Sequence, residues 1–198
     1  TGAHIDGGDD TIEWGDELGL GALAFGLLHI ELGLLDAVLG YKASLGPLPL
    51  LLNLEKESGI APNALLRLSL LGEMDSDALS ARWKLSNADA KILFLLVSHP
   101  ELFSHAPYLP IKRAIRTHGK KMAAQLLLRD AVKKSLAFAA IKEPLEMIEH
   151  WDVPCFPVSG EDLIARGWKP GKELGDLLKQ LEARWEESDY TLTKEELL

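Results

Sequence analysis

The chain has 198 residues, 40 of them leucine and 21 alanine, against only 20 valine, isoleucine and threonine together. That skew favours helices and excludes an all-β fold or a parallel sheet. With 47% apolar and 26% charged residues the sequence is globular rather than disordered, and its one cysteine, Cys155, excludes an internal disulfide and a cysteine-rich zinc module. A net charge of −9 argues at first against nucleic acid.

Residues 1–12 are polar and glycine-rich and read as a disordered lead-in. A helical body is expected over 13–150 and a helical tail over 151–198. The run 20–39 is mostly apolar, but it holds His29, Glu31 and Asp36 and three glycines. Each charge at a bilayer centre costs about 2.5–3.5 kcal/mol, so the run reads as core and not as a membrane span. Gly19, Gly21 and Ala24 match a loose dinucleotide-binding fingerprint. No strand and crossover unit surrounds them, so close helix packing is the reading there.

Beyond residue 46 the punctuation is helical. Residues 47–58 read as a helix stopped by Gly59. Residues 62–71 read as one opened by Pro62 and ended at Gly72. Residues 75–83 form a short helix, and Ser86 with Asp89 starts another that Pro100 closes. Pro110 opens a basic helix ending near His118 and Gly119. Residues 120–135 and 136–151 follow, with Pro144 a kink or break in the second. Pro154 and Pro157 force an extended stretch. Ser159 and Asp162 cap a short helix that ends at Gly167, Pro170 and Gly171 open a longer one, and Thr193 and Glu196 mark a last start. The fold class is all-α, with eight to ten short helices, short loops and no significant sheet.

Few residues look catalytic. Asp75 and Asp77 form a D-x-D pair that can hold Mg²⁺ on a rigid strand. Here they follow Gly72 and open a helix, where capping is the expected role. The six histidines are scattered. His99 with His105, and His150 with Cys155, match no zinc spacing. No serine elbow occurs. No catalytic residue and no metal ligand is assigned.

The charge is uneven. Lys112, Arg113, Arg116, Lys120, Lys121, Arg129, Lys133 and Lys134 accompany a single acid, Asp130, giving a window of +7 in a chain that is otherwise −16. Lys112, Arg116 and Lys120 are spaced by four, across Gly119. Lys121, Gln125, Arg129 and Lys133 are also spaced by four, within one helix, and such residues share a face. Two adjoining basic stripes are therefore expected to track the phosphates of a polyanion through Lys112, Arg113, Arg116, Lys120, Lys121, Arg129 and Lys133. Aromatic interleaving is missing, which points to backbone contact and not base readout. A solvated helix face, or a scaffold module meeting an acidic protein, is the alternative.

Residues 159–178 describe a helix–turn–helix corner. Gly167 suits the left-handed end of the first helix, Pro170 and Gly171 turn the chain, and Gly175 suits close approach of the second helix to a neighbour. Free N–H groups at the Gly171 end can hold a phosphate. Gly160, Asp162, Leu163, Gly167, Pro170, Gly171, Gly175, Leu177 and Leu178 fit G-x-D-L, a spacer, then G-x-x-P-G-x-x-x-G-x-L-L. This resembles the C-terminal region of bacterial tRNA CCA-adding enzymes and poly(A) polymerases. The family often has proline where Lys172 stands. Leu65-Leu66-Arg67-Leu68 and Leu85-Ser86-Asn87 resemble segments of that family's helical body.

The family's catalytic head is not recognisable here. Gly7-Gly8-Asp9-Asp10 lacks the arginine of its glycine loop, and the neck's E-D-x-x-R is missing. The resemblance implies a C-terminal body and tail, inert alone, from a cytoplasmic protein that adds nucleotides to RNA 3′ ends. Mg²⁺ and nucleoside triphosphates would belong to an N-terminal head, the chain's intramolecular partner. tRNA or another RNA 3′-end region would be the external partner, with no membrane involved.

Overall fold

The computed structural model describes residues 33–103 and 108–198. Residues 1–12, the Gly19–Gly21 fingerprint, most of the apolar run and His105 lie outside the described residues. Those described form eleven helices and no strand: α1 (Leu34–Leu39), α2 (Leu48–Ser58), α3 (Ala64–Ser69), α4 (Ser76–Trp83), α5 (Asn87–Ser98), α6 (Leu109–His118), α7 (Lys120–Lys133), α8 (Phe138–His150), α9 (Gly160–Ala165), α10 (Lys172–Glu187) and α11 (Lys194–Leu197). The all-α expectation holds, with one helix more than its upper count.

Local chemistry sets the ends. Asn63 caps α3, its Oδ1 accepting from the N–H groups of Leu65 at 2.9 Å and Leu66 at 3.3 Å. Pro62 therefore lies before the cap and does not open the helix. Asp75 Oδ1 accepts from Asp77 and Ala78 at 3.0 Å each, so the D-x-D pair starts α4 by capping. Ser86 caps α5. Gly59 ends α2 at φ +68°. Pro144 lies inside α8 without ending it. Ile141, Pro144 and Ile148 are buried together, and packing of that face outweighs the missing backbone hydrogen bond.

The core is built around α7. Leu126, Leu127 and Leu128 are all fully buried, as are Ala123 and Ala131. A helix buried nearly all round must be wrapped by others, and α2, α5, α6 and α8 pack on it. A second cluster joins α1, α3, α4 and α5 through Leu39, Leu68, Leu79 and Leu93. A third is separate. Val158, Leu163, Trp185 and Leu197 form a small tail core, with Phe156, Leu181 and Tyr190 against it. Trp151 still packs on the main core.

Candidate nucleic-acid interface

The basic window divides three ways. Helix α6 carries Lys112, Arg113 and Arg116, and α10 of the tail packs on it. The Lys112 ammonium donates to Asp189 Oδ1 at 2.7 Å and Oδ2 at 2.6 Å. Arg116 donates to Glu182 and Glu186, and Arg113 lies 3.4 Å from Glu186. Lys112 also stands over the Trp151 ring at 5.7 Å, and Arg116 over Trp185 at 5.3 Å. The α6 stripe is thus largely a seat for the tail. Of these three, only Arg113 keeps much of its side chain in solvent, at 44%.

The seam is sealed by aromatics. Tyr190 lies between Trp151 and Trp185, with ring centroids at 5.3 Å and 5.0 Å. Burial, reinforced by Glu186, pushes its phenol up to about 12. Asp189 and Tyr190 follow α10 with φ of +59° and +65°. The Asp189 N–H donates to Glu186 and the Tyr190 N–H to Trp185, closing the helix end where glycine is usual. An aspartate tolerates that backbone better than most residues and here faces Lys112.

The second stripe is broken at its middle. Gln125 is 2% exposed and Arg129 only 1%. Arg129 Nε donates to Asp130 Oδ1 at 2.8 Å, and Nη1 to the Leu96 carbonyl at 2.9 Å. Asp130 Oδ2 accepts from the Leu102 N–H at 2.6 Å. The pair ties the chain after α5 to α7, and Arg129 is withdrawn from the phosphate-contact set. The four-residue spacing does define one face of α7, but only its ends, Lys121 and Lys133, reach solvent, because the middle turns of α7 are buried.

Three cations remain. Among the described residues Lys120, Lys121 and Lys133 form no ion pair. Lys134 pairs with Glu101 at 2.8 Å. Lys120 and Lys121 are exposed at the start of α7, where the Lys120 ammonium donates to the Glu149 carbonyl at 2.7 Å. Lys133 stands at the other end of α7, on a cleft of about 820 Å³ with Leu50, Leu70 and Val97. Lys133 is exposed, and partial desolvation of its ammonium, helped by Arg129, lowers its pKa.

The tail motif builds a corner. Ser159 accepts from the Asp162 N–H at 3.3 Å, and Asp162 Oδ2 accepts from the Ser159 N–H at 2.9 Å. The Lys194 ammonium donates to the other carboxylate oxygen at 2.6 Å, and these bonds hold the Asp162 carboxyl down at about 2. Gly167 ends α9 at φ +93°, with Trp168 N–H donating to Leu163. A side chain at Gly160 would touch Leu174 and Leu178, at 3.6 Å and 3.9 Å. Gly175 differs from expectation: a side chain there would meet nothing within 4 Å, so no close approach requires it. Pro170 is exposed. Gly171 leaves α10 without a side-chain cap, with Glu173 as the acid of the first turn.

Two features escape a reading of the sequence. The acids Glu182, Glu186 and Asp189 recur at spacings of four and three, which is the available signal that one α10 face complements α6. The basic region also has an aromatic neighbour, Phe94, which lines a hollow with His118, just before Lys120. Its proximity comes from α5 and the end of α6 lining one hollow and has no local signature.

Among the described residues no three His, Cys, Asp or Glu side chains gather as a metal site. The Asp75 carboxylate is engaged in capping through Oδ1. No described helix is long and apolar enough to cross a membrane.

No model of a known protein family matches the chain. Among curated proteins it is similar to "CCA tRNA nucleotidyltransferase 1, mitochondrial" of Mus musculus, with 30% identity over 147 residues, covering 71% of this chain and 33% of the relative. The Homo sapiens protein of that name is 29% identical over the same shares. The Danio rerio protein is 39% identical over 67 residues, 34% of this chain and 16% of its own. The chain thus spans about a third of the length of the mouse and human relatives. This similarity agrees with the family resemblance of the tail and body motifs: the chain is a region related to the CCA tRNA nucleotidyltransferases.

Proposed function

We propose that this chain is the tRNA-holding part of a protein that adds nucleotides to tRNA 3′ ends. The observation that carries the reading is the similarity to CCA tRNA nucleotidyltransferases over most of the chain. Their names point to CCA addition and not to poly(A) synthesis. They also place those enzymes in mitochondria, whereas the cytoplasmic site proposed for this chain rests on the resemblance to bacterial enzymes alone.

The described residues favour holding over chemistry. Lys120 and Lys121 head α7 side by side, with Arg113 half exposed one helix earlier. Cations of this kind track phosphates and set register without reading bases. Lys112 and Arg116 serve by seating the tail, which fixes the tail relative to that face. Mg²⁺ and nucleoside triphosphates would belong to a catalytic head.

The test is tRNA binding by this chain across a salt series, beside a Lys120→Glu/Lys121→Glu variant. The wild type should bind, and log affinity should fall linearly with log salt. The variant should bind more weakly, and its slope should be shallower by about one for each phosphate it no longer neutralises. Absence of binding at low salt would refute the reading and bring a protein-binding scaffold to the front.

A further inference from the structure

Helix α5 buries Leu93 and Leu96 completely, which turns Phe94 to the outer side, where it is 53% exposed. A hollow of about 430 Å³ opens beside it, lined by Asp77, Ala90, Lys91, Phe94, Leu95 and His118. Lys91 is one helical turn before Phe94 and shares its face. His118, the last residue of α6, stands edge-on to His99 at 5.5 Å. Partial desolvation and the neighbouring His99 lower the His118 pKa, and its ring nitrogens can hydrogen-bond a ligand edge. Gly119 then leads directly into Lys120 and Lys121. An aromatic face, a hydrogen-bonding ring and an ammonium therefore meet in one hollow, at the corner of the molecule that carries the exposed lysines.

We propose that this hollow holds one unpaired nucleotide of the bound RNA, its base stacked on Phe94 and the adjoining phosphate on Lys91. The proposal rests on the RNA-holding reading and adds a base contact to it. An exposed aromatic beside an ammonium suits single-stranded nucleic acid, because every base has a π-face and every nucleotide a phosphate. A peptide side chain would find little here: besides Phe94 the apolar lining is Ala90 and Leu95. Asp77 supplies a carboxylate that accepts from an exocyclic amine of adenine or cytosine, and His118 can bond the base edge.

The experiment measures tRNA affinity of the whole chain at fixed low salt for the wild type, Phe94→Leu and Phe94→Tyr. Leucine keeps the apolar bulk and removes the π-face; tyrosine keeps the π-face. The Leu variant should lose about tenfold and the Tyr variant should match the wild type. The salt slope should be unchanged in both, whereas Lys91→Gln should reduce it by about one. Thermal melts should coincide, since position 94 is outside the core. A Leu variant that binds like the wild type, or Leu and Tyr variants that weaken alike, would overturn the stacking contact alone. A wild type that binds no tRNA would overturn this contact together with the reading beneath it.

Discussion

The body and the tail are stable for different reasons. The body surrounds α7 with leucines, and each fully buried leucine contributes roughly 1.5–3 kcal/mol. The tail has four buried apolar residues and a surface organised by two capping boxes, the Lys194–Asp162 pair and the ion pairs to α6. The same eight-cation window serves both regions. Arg129 is sunk into the body, while Lys112 and Arg116 hold the tail. A charge count over sequence therefore overstates what is left for an external polyanion.

The sharpest break of this contrast is at Arg129. Arg129→Met removes the partner of a carboxylate that has no exposure, leaving Asp130 with the Leu102 N–H. Breaking a buried pair in this way costs about 3–5 kcal/mol. Chemical denaturation of the body should show that destabilisation, and hydrogen exchange should show α5 and α7 opening first. A change below about 1 kcal/mol would mean that the pair is not what locks the chain between α5 and α6.

A smaller effect separates the tail. Asp162 ionises at about 2 in the fold against an ordinary 3.8, so its bonds stabilise the native state fully above pH 4 and are lost as pH falls from 4 to 2. The Glu196 carboxyl is lowered by its bonds to Thr193 and acts in the same direction. Tyr190 is raised from 10 to about 12 by burial, so its contribution is complete below pH 10 and is lost as pH rises toward 12. Amides of α9, α10 and α11 should lose exchange protection at both extremes before those of α7. Asp162→Asn should flatten the acid limb; an unchanged limb would assign it elsewhere.

What the sequence disclosed follows the same division. Helix ends were legible because caps are local: Asp75, Ser86, Ser159 and Thr193 each bond the N–H groups that their spacing implies. The overall helical class was legible from composition, and the tail corner from its glycine and proline pattern. The basic stripes were not. Periodicity places Lys121, Gln125, Arg129 and Lys133 on one face but does not tell which way the face points. That depends on α2, α5, α6 and α8 closing around α7. Likewise Pro62 reads as a helix start until Asn63 is seen capping α3, and Gly175 reads as a close contact until its surroundings prove open.

The basic window thus splits into cations that seat the tail and cations left free of ion pairs among the described residues, which the proposed function assigns to RNA. The most direct test compares tRNA salt slopes for two charge-neutralised pairs, Lys112→Gln/Arg116→Gln and Lys120→Gln/Lys121→Gln. The second pair should lower the slope by about two and leave the tail protected from exchange. The first pair should leave the slope close to wild type while α10 loses protection. The opposite pattern, with the slope following Lys112 and Arg116, would contradict the split and restore the α6 face as the RNA surface.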